Sequence, residues 1–167
     1  MEPAHPKVPE KIKVARHLDA EAPPAISGIL TPDTEFADRV LIELGRGCGR
    51  SCRFCAAGYV YRPPRVHGET QLLTRVEEVM KRNNHVGLVS ASVSDTPGIA
   101  HVTGQIVEKG GRFSVSSLRA DSLTEELLDH LRSVGQRSVA IAPEAGSERL
   151  RRVVNKQLTQ DQIISAV

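Results

Sequence analysis

Short apolar runs alternate with amphipathic segments along most of the chain. Four of the runs are rich in β-branched residues and bounded by Gly, Ser or Pro, which is typical of buried strands. They cover residues 39–45, 86–90, 112–116 and 138–142. Apolar residues at helical spacing lie between and after them, over residues 72–80, 99–107 and 123–134. The alternation of strands and helices predicts a parallel sheet in an α/β fold.

The helix ends carry their own signals. Ser122 with Glu125 fits a capping box at the start of the third helix. Thr159 with Gln162 predicts a fourth helix, which continues to the last residue and leaves the final strand–helix unit without a clear end. We therefore expect the chain to be a truncated part of a longer domain.

The first 35 residues differ in texture from the rest, because prolines are spread through them and no apolar period is sustained. We expect residues 1–35 to form a linker-like tail and residues 36–167 to form one core domain. The 40% apolar fraction suffices for a core, and because aromatics are only 3%, that core must consist of Val, Leu, Ile and Ala.

Composition also limits the classes of partner and compartment. The net charge of +2 does not indicate nucleic acid, and no apolar run approaches the roughly 20 residues of a membrane-spanning helix. The polar, Pro-rich N-terminus lacks the apolar segment of a secretory signal, so we expect a cytoplasmic protein. In that reducing compartment, clustered cysteines indicate metal ligation or redox chemistry rather than disulfides.

All three cysteines fall in one window, GCGRSCRFC, as Cys48, Cys52 and Cys55. The window directly follows the first predicted strand, at the sheet edge where α/β folds place their chemistry. Three thiolates are one fewer than a closed zinc site or iron–sulfur cluster usually takes. This leaves two alternatives, an open coordination position or a fourth ligand elsewhere, for which His67 is the nearest candidate.

The spacing C-x-x-x-C-x-φ-C, in which φ is the aromatic Phe54, resembles the signature of the radical S-adenosylmethionine (SAM) superfamily. Downstream, RFSVSSLRADSLTEELLDHL and APEAGSERLRRVVNKQLTQDQI resemble the third and fourth strand regions of that family's core. The similarity runs from about residue 30 to 167. It is closest to the cobalamin-associated and methylthiotransferase-like branch.

This resemblance implies an incomplete (βα)6 partial TIM-type barrel with parallel strands, of which about four of six βα units are present and the fifth and sixth are missing. It implies a 4Fe–4S cluster on the three cysteines and SAM chelated to the remaining iron, so that SAM is reductively cleaved to a 5′-deoxyadenosyl radical. An electron donor such as flavodoxin or ferredoxin is expected, and the substrate is unknown. Cobalamin would enter through a domain absent from this chain.

The resemblance also indicates where SAM would be held. The family's Gly-Gly-Glu position reads SASVSDTPG here, so the acceptors expected there are Ser90, Ser92, Ser94 and Asp95. The other expected cofactor-binding residues are Phe54, Ser117, Arg119 and Glu144. For three of these an alternative stays open: Arg119 pairs with Asp121, Glu144 is a carboxylate at a helix N-terminus, and Ser117 is a small residue at a strand end.

Three other functions are compatible with the same residues. The first is a non-catalytic iron–sulfur module, although a ferredoxin-like site would normally need a fourth cysteine. The second is a zinc-binding structural module. The third is an inactive truncation product that does not hold SAM.

Overall fold

The structure is a computed structural model that describes residues 22–167, together with Lys11 and Ala15. Within these residues, a parallel sheet is formed by β1 (Val40–Glu43), β4 (His85–Val89) and β5 (Arg112–Val115), side by side in sequence order. Two-residue strands β2 (Gly45–Arg46) and β3 (Arg65–Val66) pair antiparallel directly after β1. The predicted α/β class with a parallel sheet is therefore confirmed.

The helices fill the connections between strands. They are α1 (Ala57–Val60), α2 (Glu69–Met80), α3 (Ile99–Glu108), α4 (Glu125–Ser133), α5 (Glu148–Val153) and α6 (Gln160–Ser165). Helix α2 contacts β1 and β4, α3 contacts β5, and α3 lies between α2 and α4. Parallel strands in sequence order, joined by crossover helices, are typical of α/β folds. No helix in residues 22–167 has both the length and the apolarity needed to cross a membrane.

The core lies between the sheet and these helices. Its fully buried side chains are mostly aliphatic, with one aromatic ring from β5. They include Ile42 and Leu44 near β1, Leu72 and Val76 on α2, Val86 and Leu88 on β4, Val102 and Ile106 on α3, Phe113 on β5, and Leu127 and Leu131 on α4. The low aromatic content is thus offset by Val, Leu and Ile, as the composition requires.

The fourth predicted strand is much reduced. Residues 138–142 contribute a single parallel bridge, Leu118 with Ile141, supported by the bond from the Leu118 N–H to the Ala140 carbonyl at 2.9 Å. The segment cannot extend further, because Pro143 lacks an N–H and Glu144 has a φ of 70°. This segment therefore continues the sheet in direction and order without forming a full strand.

Part of the predicted tail lies along the outer edge of β1. Ile26 forms an antiparallel bridge with Ile42, and the Ser27 N–H donates to the Leu41 carbonyl at 3.0 Å. This pairing covers an edge that would otherwise expose unpaired backbone groups. Residues 1–10, 12–14 and 16–21 lie outside the described residues, so the boundary near residue 35 stays a prediction.

Of the two predicted capping boxes, one is present and one is absent. The capping box of Thr159 and Gln162 is present at α6. The capping box of Ser122 and Glu125 is absent, because α4 begins at Glu125 and Thr124 accepts from the Leu127 N–H at 3.3 Å. Ser122 instead lies in a 3-10 turn, where its hydroxyl bonds the Ser94 hydroxyl at 2.8 Å. Because the Ser122 hydroxyl is bonded to Ser94, the N-cap of α4 is Thr124, two residues after the predicted position.

Candidate functional site

The cysteine loop, residues 47–56, leaves the sheet at the carboxyl end of β1 and the short strand β2. Gly47 begins it with a φ of 84°, and a Cβ there would lie 2.3 Å from the Tyr61 carbonyl oxygen. Only glycine fits so close an approach in that conformation. The turn directs Cys48 back into the loop, where the Arg50 N–H donates to the Cys48 Sγ at 3.3 Å. The loop backbone therefore directs an amide N–H at the first cysteine sulfur.

The three thiols are free and differ in exposure. Cys52 is buried, with 7% of its surface exposed, while Cys48 and Cys55 are half-buried. Across the described residues, no three His, Cys, Asp or Glu side chains converge closely enough to form a ready metal site. The donor set nevertheless suits an iron–sulfur cluster, since three soft thiol ligands and an amide directed at sulfur are what such clusters use.

Arg50 ties this loop to the loops after β4 and β5. Its Nε and Nη2 donate to the two carboxylate oxygens of Asp95 at 3.0 and 2.7 Å, a bidentate pair. Its Nη1 donates to the Asp121 carboxylate at 3.1 Å. One guanidinium between the first and second cysteines therefore joins the carboxyl ends of three adjacent strands.

The β4 and β5 loops are also bonded to each other. Arg119 donates through Nε and Nη2 to the Asp121 carboxylate, both at 2.9 Å, and its backbone N–H donates to the buried Ser94 hydroxyl at 3.3 Å. Ser92 donates to the Asp95 carboxylate at 2.9 Å. Of the two alternatives for Arg119, the structure contains the pair with Asp121.

The charges of this network shift its carboxyl pKa values. Burial alone raises the pKa of Asp95, but the hydrogen bonds from Arg50 and Ser92 outweigh it and lower the pKa overall. Burial also raises the pKa of Asp121, and the bonds and positive charge of Arg119, with that of Arg50, more than reverse it. The hydrogen bonds to Asp95 raise the pKa of Arg50. Both aspartates are thus ionised at neutral pH.

Residues 144–158 also contact the cysteine loop. Glu144 is exposed and accepts from Lys156 Nζ at 3.1 Å, while the Lys156 side chain is only 10% exposed. The Asn155 side chain donates to the Ser51 carbonyl in the cysteine loop at 2.7 Å. Glu144 is therefore linked, through the adjacent Lys156 and Asn155, to the loop that carries the cysteines.

The remaining predicted residues are placed as follows. The Ser90 hydroxyl accepts from the Ser92 N–H at 3.3 Å, and Ser117 is exposed after β5. Phe54 is 54% exposed on the cysteine loop. Among the described residues, His67 forms no potential metal-ligand group with the cysteines, and its buried Nδ1 has no hydrogen-bond partner there. Its backbone N–H donates to the Leu44 carbonyl at 3.0 Å, and burial lowers its pKa.

Sequence reasoning missed two contributors. The contact of Asn155 with Ser51 spans 104 residues, and no local pattern announces it. The role of Arg50 as a bridge had a readable signal, because an arginine between the cysteines faces an aspartate in each of the next two loops at the same sheet edge. Charge complementarity between loops that a parallel sheet brings together was the available clue.

Two comparisons with known proteins bear on this site. Residues 42–167 match the family model described as the Radical SAM superfamily. The uncharacterized protein MJ0966 of Methanocaldococcus jannaschii is 37% identical over 172 residues, an alignment that covers 100% of this chain and 38% of that protein. The chain thus spans well under half the length of this relative.

Proposed function

Because this chain belongs to the radical SAM superfamily, we propose that it binds a 4Fe–4S cluster through Cys48, Cys52 and Cys55 and acts on SAM. When bound, the cluster would chelate SAM at its fourth iron and supply the electron that cleaves SAM to methionine and a 5′-deoxyadenosyl radical. The protein itself would ligate the cluster, orient SAM and exclude water from the site.

The observation that carries this proposal is the Arg50 bridge. It holds the loop with the three thiols against two loops that follow neighbouring parallel strands. Ligands at that edge lie beside the crevice in which α/β enzymes bind small molecules.

We propose that SAM is held by the residues of these loops. Ser90, Ser92, Ser94 and Asp95 would offer oxygen acceptors to its amino group, and Asp95 is ionised at neutral pH because of its lowered pKa. The remaining contacts would come from Phe54, Ser117, Arg119 and Glu144. Because Arg119 already gives two N–H groups to Asp121, its contact with the SAM carboxylate would use the remaining N–H groups on Nη1 and Nη2.

The wider assignment also belongs to the proposal. The core domain would begin near residue 36 and form four of the six units of a (βα)6 barrel. The electron donor, a flavodoxin or ferredoxin, and the link to the cobalamin-associated branch are inferred from resemblance alone.

Anaerobic reconstitution with iron and sulfide tests the proposal. We expect about four irons per chain and a brown chromophore, with each single Cys→Ala variant losing the 4Fe–4S spectrum. Ser51→Ala is the matched control, since it alters the same loop without removing a thiol, and it should keep the cluster. Uptake of zinc in place of iron would contradict the proposal, and 5′-deoxyadenosine released with dithionite and SAM would extend it to catalysis.

A further inference from the structure

The residues that follow α5 clasp the cysteine loop on both sides of Cys52. The Asn155 Nδ2 donates to the Ser51 carbonyl at 2.7 Å, in the peptide unit that precedes Cys52. The Val154 carbonyl accepts from the Arg53 N–H at 3.0 Å, in the peptide unit that follows it. The most buried of the three cysteines is therefore bracketed by two hydrogen bonds from one short segment.

Asn155 suits this position for two reasons. Its φ is 56°, in the left-handed region that asparagine tolerates better than most residues. Its amide is also oriented, because Gln157 Nε2 donates to the Asn155 Oδ1 at 3.0 Å and leaves the Nδ2 for Ser51. The Ser51 carbonyl also accepts from the Tyr59 hydroxyl at 3.0 Å, so Asn155 supplies the shorter of its two hydrogen bonds.

The segment that carries Asn155 is anchored independently of the cysteine loop. The buried Arg151 donates to the carbonyls of Leu158, Ala145 and Gly146 at 2.6, 2.9 and 3.0 Å. Lys156, next to Asn155, is paired with Glu144. Asn155 is therefore presented by a braced turn, which can hold a loop that has few buried side chains of its own.

We propose that Asn155 is a positioning residue for the cysteine loop: its amide fixes the peptide before Cys52 and so holds this thiol in place for cluster binding. The reference to a cluster rests on the proposed function, but the restraint on Cys52 does not. Without the amide the loop opens more often and exposes Cys52, whereas Cys48 and Cys55 are already partly accessible.

Alkylation of the metal-free chain by iodoacetamide, followed at each cysteine by mass spectrometry, tests the restraint. Asn155→Gly removes the amide and keeps the left-handed backbone accessible. Asn155→Asp keeps the shape but replaces the donor with a carboxylate, which repels the Ser51 carbonyl. For both we expect Cys52 to react about fivefold faster, the factor for loss of one amide–carbonyl bond. The rates at Cys48 and Cys55 should change much less.

Asn83→Ala is the matched control, since Asn83 Nδ2 also donates to a loop carbonyl, that of Asp38, at 2.9 Å. It should leave the Cys52 rate unchanged. An unchanged Cys52 rate in both Asn155 variants would overturn the proposal, and so would equal acceleration at all three cysteines with a lowered melting temperature, which signals general unfolding. A wild-type chain that takes up no iron would refute the proposed function and leave this result intact.

Discussion

Replacing Asp95 with Asn and Arg50 with Gln, singly and together, measures how strongly the cysteine loop is tied to the loop after β4. The pair makes two charge-assisted bonds at 2.7 and 3.0 Å, a geometry that stabilises more than a single contact. Water reaches it, however, because the Arg50 and Asp95 side chains are 40% and 26% exposed. Solvent screening reduces the coupling toward the surface range, so we expect about 1 kcal/mol.

The assay is urea denaturation of the metal-free chain, analysed as a double-mutant cycle. The cycle isolates this pair even though Arg50 also bonds Asp121. The exposed pair Arg132–Asp129, with side chains 76% and 69% exposed, is the matched control and should show no measurable coupling. If the coupling of Arg50 with Asp95 is no larger than that of the control, the bridge does not hold the loop, and the argument for a shared site fails.

Three further predictions concern stability. The pKa values of Asp95 and Asp121 are lowered in the folded chain. Their contribution to the free energy of unfolding is therefore full above the ordinary carboxyl pKa of about 4 and is lost as pH falls through the lower folded values. The double Asp→Asn variant should lose less stability than wild type between about pH 5 and pH 3 in urea titrations. Gly47→Ala should lower the free energy of unfolding by about 1–3 kcal/mol more than Gly135→Ala does. Gly135 has a similar φ of 82°, but among the described residues, its chain neighbours aside, no atom lies within 4 Å of a Cβ placed there. Equal urea midpoints would refute the close approach at Gly47. Thr124→Ala should cost about 1 kcal/mol as an N-cap, and an unchanged melting temperature would show that the cap lies elsewhere.

Much of the fold was accessible from local pattern. The strands beginning near residues 40, 85 and 112 and the helices between them have apolar periods that match their burial, so period and structure agree. The strand over residues 138–142 was overpredicted, because its apolar run says nothing about the turn at Pro143 and Glu144 that ends it. The Ser122 cap failed for a related reason, since its hydroxyl bonds Ser94 across the sheet edge instead.

The site was partly predictable. The spacing of the cysteines and their position after β1 locate the chemistry at one edge of the sheet, and the structure brings Asp95 and Arg119 to that edge through the network of Arg50 and Asp121. Local sequence cannot give contacts between segments about a hundred residues apart, such as Asn155 with Ser51. Those contacts depend on how residues 144–158 pack against the cysteine loop.

The most direct test of the central claim is the electron paramagnetic resonance spectrum of the reconstituted, dithionite-reduced chain, recorded with and without SAM. A cluster held by Cys48, Cys52 and Cys55 alone leaves one iron open, so we expect SAM to change the spectrum. The Asp129→Asn variant, altered at an exposed position of α4, should show the same change. A reduced cluster whose spectrum is identical with and without SAM would contradict the account.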